Sequence, residues 1–333
     1  MARSIGRREL IAAMSGASLT WPLTAHAQQS QEMRRIGVLV QVTPDSPEGQ
    51  PRLVAFRQAM ERFGWSEGRN VQIEVRWGAD DPDLERRYAE ELVVLRPDIL
   101  VAGGTESVAA LQHLTRTTPI VFAGVTDPVG AGFVSSLAHP DGNATGFMLF
   151  EYSLIGKLLE LLKQIAPHVT HVGVLRDPAN PSGVAQYGVI QGMAQSLGVE
   201  VRPINVGEPA ETERLIAAFA AAANGGLIVT GSAEVSRRPD LIRALAAKYE
   251  LPAAYTFRYD ARNGGLISYG PDRVDLYRLA AGYVDRILRG EKPGDLPVQT
   301  PSNYELVINL RVAKALGLTV PPTLLARANE VIE

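Results

Sequence analysis

The sequence predicts an α/β protein made of two doubly wound, Rossmann-like lobes, each built on a parallel sheet. Short apolar runs bounded by Gly and Pro alternate with amphipathic helical patterns, which is typical of βαβ units whose sheets are buried on both faces. The order of these runs occurs twice in the chain. The length of 333 residues also exceeds what one hydrophobic core usually serves, so we expect two domains.

Residues 1–27 differ from the rest and indicate an export signal. Three arginines precede a mostly apolar stretch over residues 10–23, and the small-x-small sequence Ala25-His26-Ala27 follows it. This is the arrangement of a secretory signal peptide, so we expect cleavage after Ala27 and a periplasmic protein. The Arg7-Arg8 pair favours the twin-arginine route. General secretion and a cytoplasmic amphipathic helix remain alternatives.

Strand and helix candidates alternate in the first half of the chain. The strands are predicted over residues 35–42, 71–77, 99–102 and 119–123. The helices are predicted over residues 51–63, 83–95, 107–114 and 152–165. Pro167 ends the last of these helices. This alternation predicts a parallel sheet covered by helices.

From residue 169 the same order begins again. Three segments return in sequence: IGVL as VGVL, ILVAGGTE as LIVTGSAE, and a Pro with an Asp eight residues later. The pairs begin at residues 36 and 172, 99 and 227, and 119 and 252. The helix ends Phe63-Gly64 and Leu197-Gly198 also match. Strands use few residue types, so one match means little, but four matches in one order predict two similar lobes.

Composition and motifs exclude several functions. The chain has no Cys, which removes disulfides, Cys-ligated metals and thiol nucleophiles. A net charge of −3 without a basic run gives no reason to expect a nucleic-acid surface. The usual nucleotide-binding and hydrolase motifs are absent, and His168 and His171 do not have the helical spacing of a metal site. We therefore expect no cofactor, no metal and no catalytic residue.

The loops that follow the strands are the expected ligand site. Right-handed crossovers put them all at the carboxyl edge of their sheet, where open parallel sheets bind ligands. The loops are residues 41–49, 103–107 and 124–128 in the first lobe, and 176–183, 231–236 and 256–260 in the second. Their small polar residues suit carboxylates and other small anions. Glu106, Asp127, Asp177 and Asp260 can neutralise an ammonium group.

Several motifs resemble one known family. The most specific are residues 118–132 (TPIVFAGVTDPVGAG) and 141–146 (DGNATG). Weaker matches are residues 37–39 (GVL), 268–271 (SYGP), 290–293 (GEKP), 296–298 (LPV), Asn309 and 316–318 (LGL). Together they are similar to the ABC-transporter substrate-binding protein family of the tryptophan/tyrosine-binding type, over residues 33–333.

This resemblance implies a type I periplasmic-binding fold, in which two lobes joined by three crossovers close on a ligand by a hinge. The implied N-terminal lobe is residues 33–147 and the implied C-terminal lobe is residues 151–265, with the first crossing near residues 146–151. A helix within residues 271–290 returns to the N-terminal lobe. A strand and a helix within residues 296–333 complete the C-terminal lobe.

The resemblance also implies the function and part of the site. It implies a monomer, not an enzyme, that binds a small polar molecule, such as an amino acid, and delivers it to an ABC permease in the inner membrane. The loops that hold the ligand's carboxylate and ammonium groups in amino-acid-binding members correspond here to Gly104, Thr105, Thr126 and Asp127. The family often has Pro or a small residue where Glu106 stands, and this extra carboxylate points to a different ligand.

Further candidates come from loop position and stacking capacity. They are Thr43, Asp45 and Glu106 in the first lobe, and Asn180, Ser232, Tyr255, Phe257 and Tyr269 in the second. Two other functions remain open for the same fold. One is an extracytoplasmic sensor that binds a ligand and passes a signal to a partner. The other is a Rossmann-like enzyme, for which Ser182 and Ser232 lack a candidate base.

Overall fold

The strands form where Val, Ile and Leu follow one another, because these side chains pack well on a sheet buried on both faces. The computed structural model describes residues 33–149, 151–178, 181–231 and 233–333. Within these ranges the strands lie in two sheets and alternate with helices along the chain. Residues 33–333 cluster as one compact unit.

The first sheet has five parallel strands in the order β2-β1-β3-β4-β5. They are β1 Arg34–Val40, β2 Val71–Trp77, β3 Ile99–Gly103, β4 Ile120–Val125 and β5 Ala144–Met148. The strand order reverses between β1 and β3. Ligands of open α/β sheets bind at such a switch point. We call this sheet with its packed helices the first lobe.

The second sheet has the order β12-β11-β10-β9-β8-β6-β7. Its strands are β6 His171–Arg176, β7 Glu200–Asn205, β8 Gly225–Val229, β9 Ala253–Tyr255, β10 Ile267–Pro271, β11 Tyr304–Asn309 and β12 Glu330–Ile332. Its switch point lies between β6 and β8, which matches that of the first sheet. We call this sheet with its helices the second lobe.

Helices connect the strands and cover both sheets. They are α1 Gly49–Arg62, α2 Pro82–Val94, α3 Thr105–Leu114, α4 Tyr152–Ile165, α5 Pro181–Ala194, α6 Pro209–Ala220, α7 Ala233–Ser236, α8 Pro239–Lys248, α9 Arg258–Arg262, α10 Arg273–Leu288, α11 Leu310–Ala315 and α12 Pro322–Leu325. Side chains cap two of the longer ones, α2 and α10. The Asp81 carboxylate accepts from the backbone N–H of Asp83 at 2.8 Å, and the Asp272 carboxylate accepts from that of Val274 at 2.9 Å.

Each sheet is covered by apolar cores on both faces, because successive side chains of a strand point in opposite directions. In β1, Val38 and Val40 pack on one face, whereas Leu39 packs on the other. In β6, Val174 and Leu175 divide in the same way. Packing on both faces therefore holds the ends of these strands in place, and with them the first residues of the loops that follow.

The chain passes between the lobes three times. After β5 it enters α4, which packs on the second sheet, and after β10 it enters α10, which packs on β3, β4, β5 and α1. Leu296 and Val298 then join cores of the first lobe, and Gln299 pairs with Phe147 beside β5. We therefore place the third crossing after Gln299, whereas the sequence-based boundary of residue 296 lies before it.

Most elements form within two residues of their predicted ends, with two differences at the C-terminus. β11 runs antiparallel to β10, whereas the sequence predicts parallel sheets only. The predicted final helix is divided into the short helices α11 and α12, and the chain then ends in β12 beside β11. Gly317, with a φ of +68°, and the Pro321-Pro322 pair separate the two helices.

Candidate functional site

The carboxyl ends of both sheets surround one cavity of about 500 Å³. Residues from all six loops that the sequence predicts as the ligand site contribute to its lining. The first lobe also contributes Arg52 of α1, Asp80 after β2 and Arg273 of α10. The cavity thus lies where the switch points of the two sheets face each other.

Nine of the residues expected from the sequence line this cavity. They are Thr43, Thr105, Glu106, Thr126, Asp127, Asp177, Tyr255, Phe257 and Asp260. The first five come from loops of the first lobe, and the two aromatic residues lie at and just after the end of β9 in the second lobe. Their contact with a ligand stays a prediction.

Three other expected residues do not line the cavity. Asp45 is exposed in its loop. Gly104 is the N-cap of α3, and a Cβ there would lie 2.3 Å from Oε1 of Gln41, so its backbone approaches the Gln41 side chain closely. Tyr269 stacks on Tyr304, with ring centroids 5.7 Å apart. Asn180 and Ser232 lie outside the described residues.

The sequence predicts neither of the two arginines of the cavity, Arg52 and Arg273, and it does not single out Glu48 or Asp80. Glu48 is the N-cap of α1, and Asp80 lies just before the start of α2. Arg52 is one turn inside α1 and so lies beyond the loop that follows β1. Helix α10 returns from the other lobe and brings Arg273 into the site through a crossing that the six loops do not include.

Carboxylates of the first lobe are crowded behind the cavity. Gln41 donates from Nε2 to Oε2 of Glu106 at 3.1 Å, and Ser107 donates to Oε2 of the buried Glu85 at 2.7 Å. Burial raises the pKa of Glu85 to about 7, and the nearby Glu106 and Asp80 add to this despite the Ser107 bond. Burial also raises the pKa of Asp80. The part of the cavity at Glu106 therefore disfavours a further negative charge.

Asp127 has a fixed orientation at the end of β4. Its Oδ1 accepts from the backbone N–H of Gly130 at 2.8 Å, and its Oδ2 accepts from the hydroxyl of Tyr152 at 3.3 Å. Burial and the Asp127 charge raise the pKa of Tyr152 to about 12, so this hydroxyl remains a donor at neutral pH. The carboxylate is held in place and can still accept from a ligand, because each oxygen has two lone pairs.

The second lobe supplies an apolar and aromatic wall. It contains Val229, Val235, Ile242, Tyr255, Phe257 and Tyr259. Beneath it, Arg243 donates from Nη1 to Oδ1 of Asp260 at 2.5 Å. Burial raises the pKa of Asp260 to about 6 against the opposing effect of Arg243. Such a wall suits the carbon skeleton or ring of a ligand.

The lining combines charges of both signs with this apolar wall. Among the described residues, its acidic side chains are Glu48, Asp80, Glu106, Asp127, Asp177 and Asp260, and its basic ones are Arg52 and Arg273. In the described part of the chain, no group of His, Asp and Glu is arranged to hold a metal ion. The arrangement can bind a small molecule that carries both polar groups and apolar surface.

Comparison with known proteins identifies relatives along almost the whole chain. The family described as "ABC transporter substrate binding protein" matches residues 35–332. A tyrosine-binding protein of Clostridioides difficile (strain R20291) is 27% identical over 289 residues, which cover 87% of this chain and 82% of the relative.

Two solved structures have the same fold. An ABC domain from Streptococcus pneumonia in complex with L-Trp has a TM-score of 0.82 at 24% identity, covering 90% of this chain and 100% of that one. A conserved domain protein from Vibrio cholerae O1 biovar El Tor (strain N16961) has a TM-score of 0.80 at 29% identity, with the same coverage. The fold is therefore the type I periplasmic-binding fold.

No helix of the described residues is long and apolar enough to span a membrane.

The family match extends over both lobes and includes every loop that lines the cavity. The chain therefore belongs to the ABC transporter substrate binding protein family, whose members bind solutes and are not enzymes.

Proposed function

We propose that this protein is the extracytoplasmic solute receptor of an ABC uptake transporter. It binds one small polar molecule in the cavity between its lobes and delivers it to an inner-membrane permease. The observation that carries this proposal is the cavity itself, which is lined by loops of both sheets and by charges of both signs. A solute held by both lobes favours the closed arrangement, because it gains contacts with both only there.

The ligand we propose is an amino acid or a related molecule with an apolar side chain. The volume of about 500 Å³ lies in the range of small-molecule sites. Phe257 and Tyr259 can stack on a ring, and the carboxylate of Asp127 can pair with an ammonium group. The relatives named for tyrosine and for a complex with L-Trp support an aromatic amino acid.

The N-terminal segment supports export of the protein to the periplasm. Residues 1–27 have the pattern of a signal peptide, and we propose cleavage after Ala27 and a periplasmic location for the mature protein. The chain has no Cys, so its folding requires no disulfide formation. Deletion of the gene should then reduce uptake of the bound solute by intact cells.

A thermal-shift panel tests solute binding. The purified protein is mixed with amino acids, sugars, nucleosides and polyamines, each at about 1 mM, which is about 1,000 times a micromolar dissociation constant and adds about 4 kcal/mol of stability. We expect a clear rise in Tm with aromatic or other apolar amino acids. The absence of a shift with every compound would contradict the proposal.

The Asp127→Asn variant assigns the binding to this cavity. Asn keeps an oxygen for the Gly130 N–H but loses the charge, so we expect amino-acid affinity to fall about 10- to 100-fold with little change in stability. Asp83→Asn is the matched control, because Asp83 is exposed on α2 outside the cavity. Equal affinity of Asp127→Asn and the unmodified protein would remove Asp127 from the site.

A further inference from the structure

Two arginines from neighbouring helices face the cavity from the first lobe. Arg52 lies in the first half of α1 and Arg273 is the first residue of α10. These helices pack along each other, and both arginines contribute to the lining. The N-terminal ends of both helices therefore lie at the same part of the cavity, where the helix dipoles favour negative charge. At α10 the Asp272 carboxylate already accepts from the backbone N–H of Val274, so the arginine side chains are the donors that face a ligand.

Within the described part of the chain, the guanidinium group of Arg52 has buried donors without acceptors. Arg52 is 1% exposed, and its Nη2 donates to Oε2 of Glu48 at 2.7 Å. Its Nε and Nη1 are buried, and among the described residues neither has a hydrogen-bond partner. Arg273 is partly buried, and its guanidinium lies 4.9 Å from the ring centroid of Phe257. Buried charged donors without acceptors, such as those of Arg52, are costly.

The two arginines lie close to each other and to two carboxylates of the lining, those of Glu48 and Asp80. Burial lowers the pKa of Arg273 to about 10, and the neighbouring positive charge of Arg52 contributes to this. Glu48 is already paired with Arg52. Asp80 is close enough to interact with both arginines, but its burial raises its own pKa. An added anion would accept from the unpaired Nε and Nη1 groups of Arg52 and from the Arg273 guanidinium that lines the cavity.

We infer that Arg52 and Arg273 form a subsite for a carboxylate group of the solute, an assignment that rests on the proposed function of the cavity. The planar guanidinium fork matches a carboxylate in two parallel hydrogen bonds. The cation–π contact of Arg273 with Phe257 restrains its guanidinium before the ligand arrives. The rest of the solute then extends toward the apolar wall of the second lobe.

The acidic lining favours a carboxylate over a phosphate at this subsite. A phosphate carries nearly two negative charges at neutral pH, and the cavity is lined by more carboxylates than arginines among the described residues. A carboxylate brings one charge, and an ammonium group on the same molecule can pair with Asp127. The carboxylate of Glu106 lies in the first turn of α3 and repels an anion there. We therefore place the carboxylate of the ligand at the N-terminal ends of α1 and α10.

Isothermal titration of the purified protein with matched acids and amides tests the subsite. The probes are L-tyrosine, L-tryptophan and L-leucine, each compared with its carboxamide, which keeps the ammonium group and side chain but lacks the carboxylate. We expect each acid that binds to bind at least about 10-fold more tightly than its amide. This comparison uses the unmodified protein and does not depend on the folding of a variant.

The Arg273→Gln variant then locates the effect. We expect it to lose about 10- to 100-fold in affinity for the acid and about 2-fold or less for the amide. Arg278→Gln is the matched control on the same helix, because Arg278 is paired with Asp275 and does not line the cavity. We expect it to bind like the unmodified protein.

Four outcomes would overturn the assignment. Equal affinity for acids and amides, or an Arg273→Gln variant that binds acids normally, would exclude the subsite and leave solute binding intact. Binding of sugars or polyamines with no binding of any carboxylate would do the same. Failure to bind any compound of any class would overturn both the subsite and the proposed function.

Discussion

Glu85 is a buried residue behind the cavity whose ionisation lowers the stability of the folded protein. It is 2% exposed, its Oε2 accepts from Ser107, and its Oε1 has no partner among the described residues. Burial raises its pKa from the usual 4.5 to about 7. Between these pH values the unfolded chain ionises Glu85 while the folded protein keeps the proton. Stability therefore falls as pH rises from about 4.5 to about 7.

The Glu85→Gln variant tests this cost. Since one pKa unit corresponds to about 1.36 kcal/mol, we expect the substitution to raise the free energy of unfolding by up to about 3 kcal/mol at pH 8 and to have no such effect at pH 4. Urea denaturation at both pH values measures the difference. Glu90→Gln, an exposed change on the same helix, should have no effect at either pH. A Glu85→Gln variant without a pH-dependent gain would show that Glu85 ionises normally.

The polar loop residues of the site could be predicted from the sequence, but its arginines could not. Thr105, Thr126 and Asp127 could be found because they closely follow strands, and strand ends meet at one edge of a sheet. Arg52 and Arg273 could not, because Arg is common on exposed helix surfaces. Their burial depends on α1 and α10 packing together, which is a contact between residues more than 200 positions apart.

Among the elements, β5 has a backbone that leaves very little room. Gly146 lies inside this strand with a φ of +150°, and a Cβ there would be 2.1 Å from the carbonyl oxygen of Phe122. From the sequence we expected Gly146 at the start of the first crossing. In the structure it pairs with β4, and the chain leaves the sheet only after Met148. The glycine is therefore required by close backbone approach.

Replacement of Gly146 with Ala should destabilise the first lobe. The added Cβ must displace backbone atoms of β4, so we expect a loss of about 2–4 kcal/mol in the free energy of unfolding. Gly142→Ala is the control, because the nearest atom to its Cβ would be 3.9 Å away. Thermal or urea unfolding of both variants gives the comparison. A Gly146→Ala variant as stable as the control would show that β4 and β5 are less closely packed than described.

The order and ends of most elements could be predicted from local patterns. Val71–Trp77 and Tyr152–Ile165 form at the predicted residues, since their apolar periodicity is unbroken. The antiparallel pairing of β11 and the addition of β12 could not be predicted from local patterns. The direction of a strand within a sheet depends on which lobe the chain enters after a crossing. The return of one helix to the first lobe, followed by a strand in the second, was expected from the resemblance to a known family and not from residue patterns.

For the whole molecule, the internal repeat explains the position of the site. The order of the five strands in the first sheet recurs in β7-β6-β8-β9-β10 of the second, so each sheet has a switch point at its carboxyl edge. The cavity lies where these edges face each other. A binding site divided in this way couples occupancy to the relative position of the lobes. We propose that this closure is the signal that a permease recognises.

Small-angle X-ray scattering of the purified protein, with and without a saturating solute from the thermal-shift panel, tests this account most directly. We predict that the solute lowers the radius of gyration and the maximum dimension, because the loops of both lobes gather around it. The Asp127→Asn variant, at the same solute concentration, should remain closer to the unliganded dimensions. An unchanged scattering curve at confirmed saturation would contradict the claim that the two lobes close on a solute bound between them.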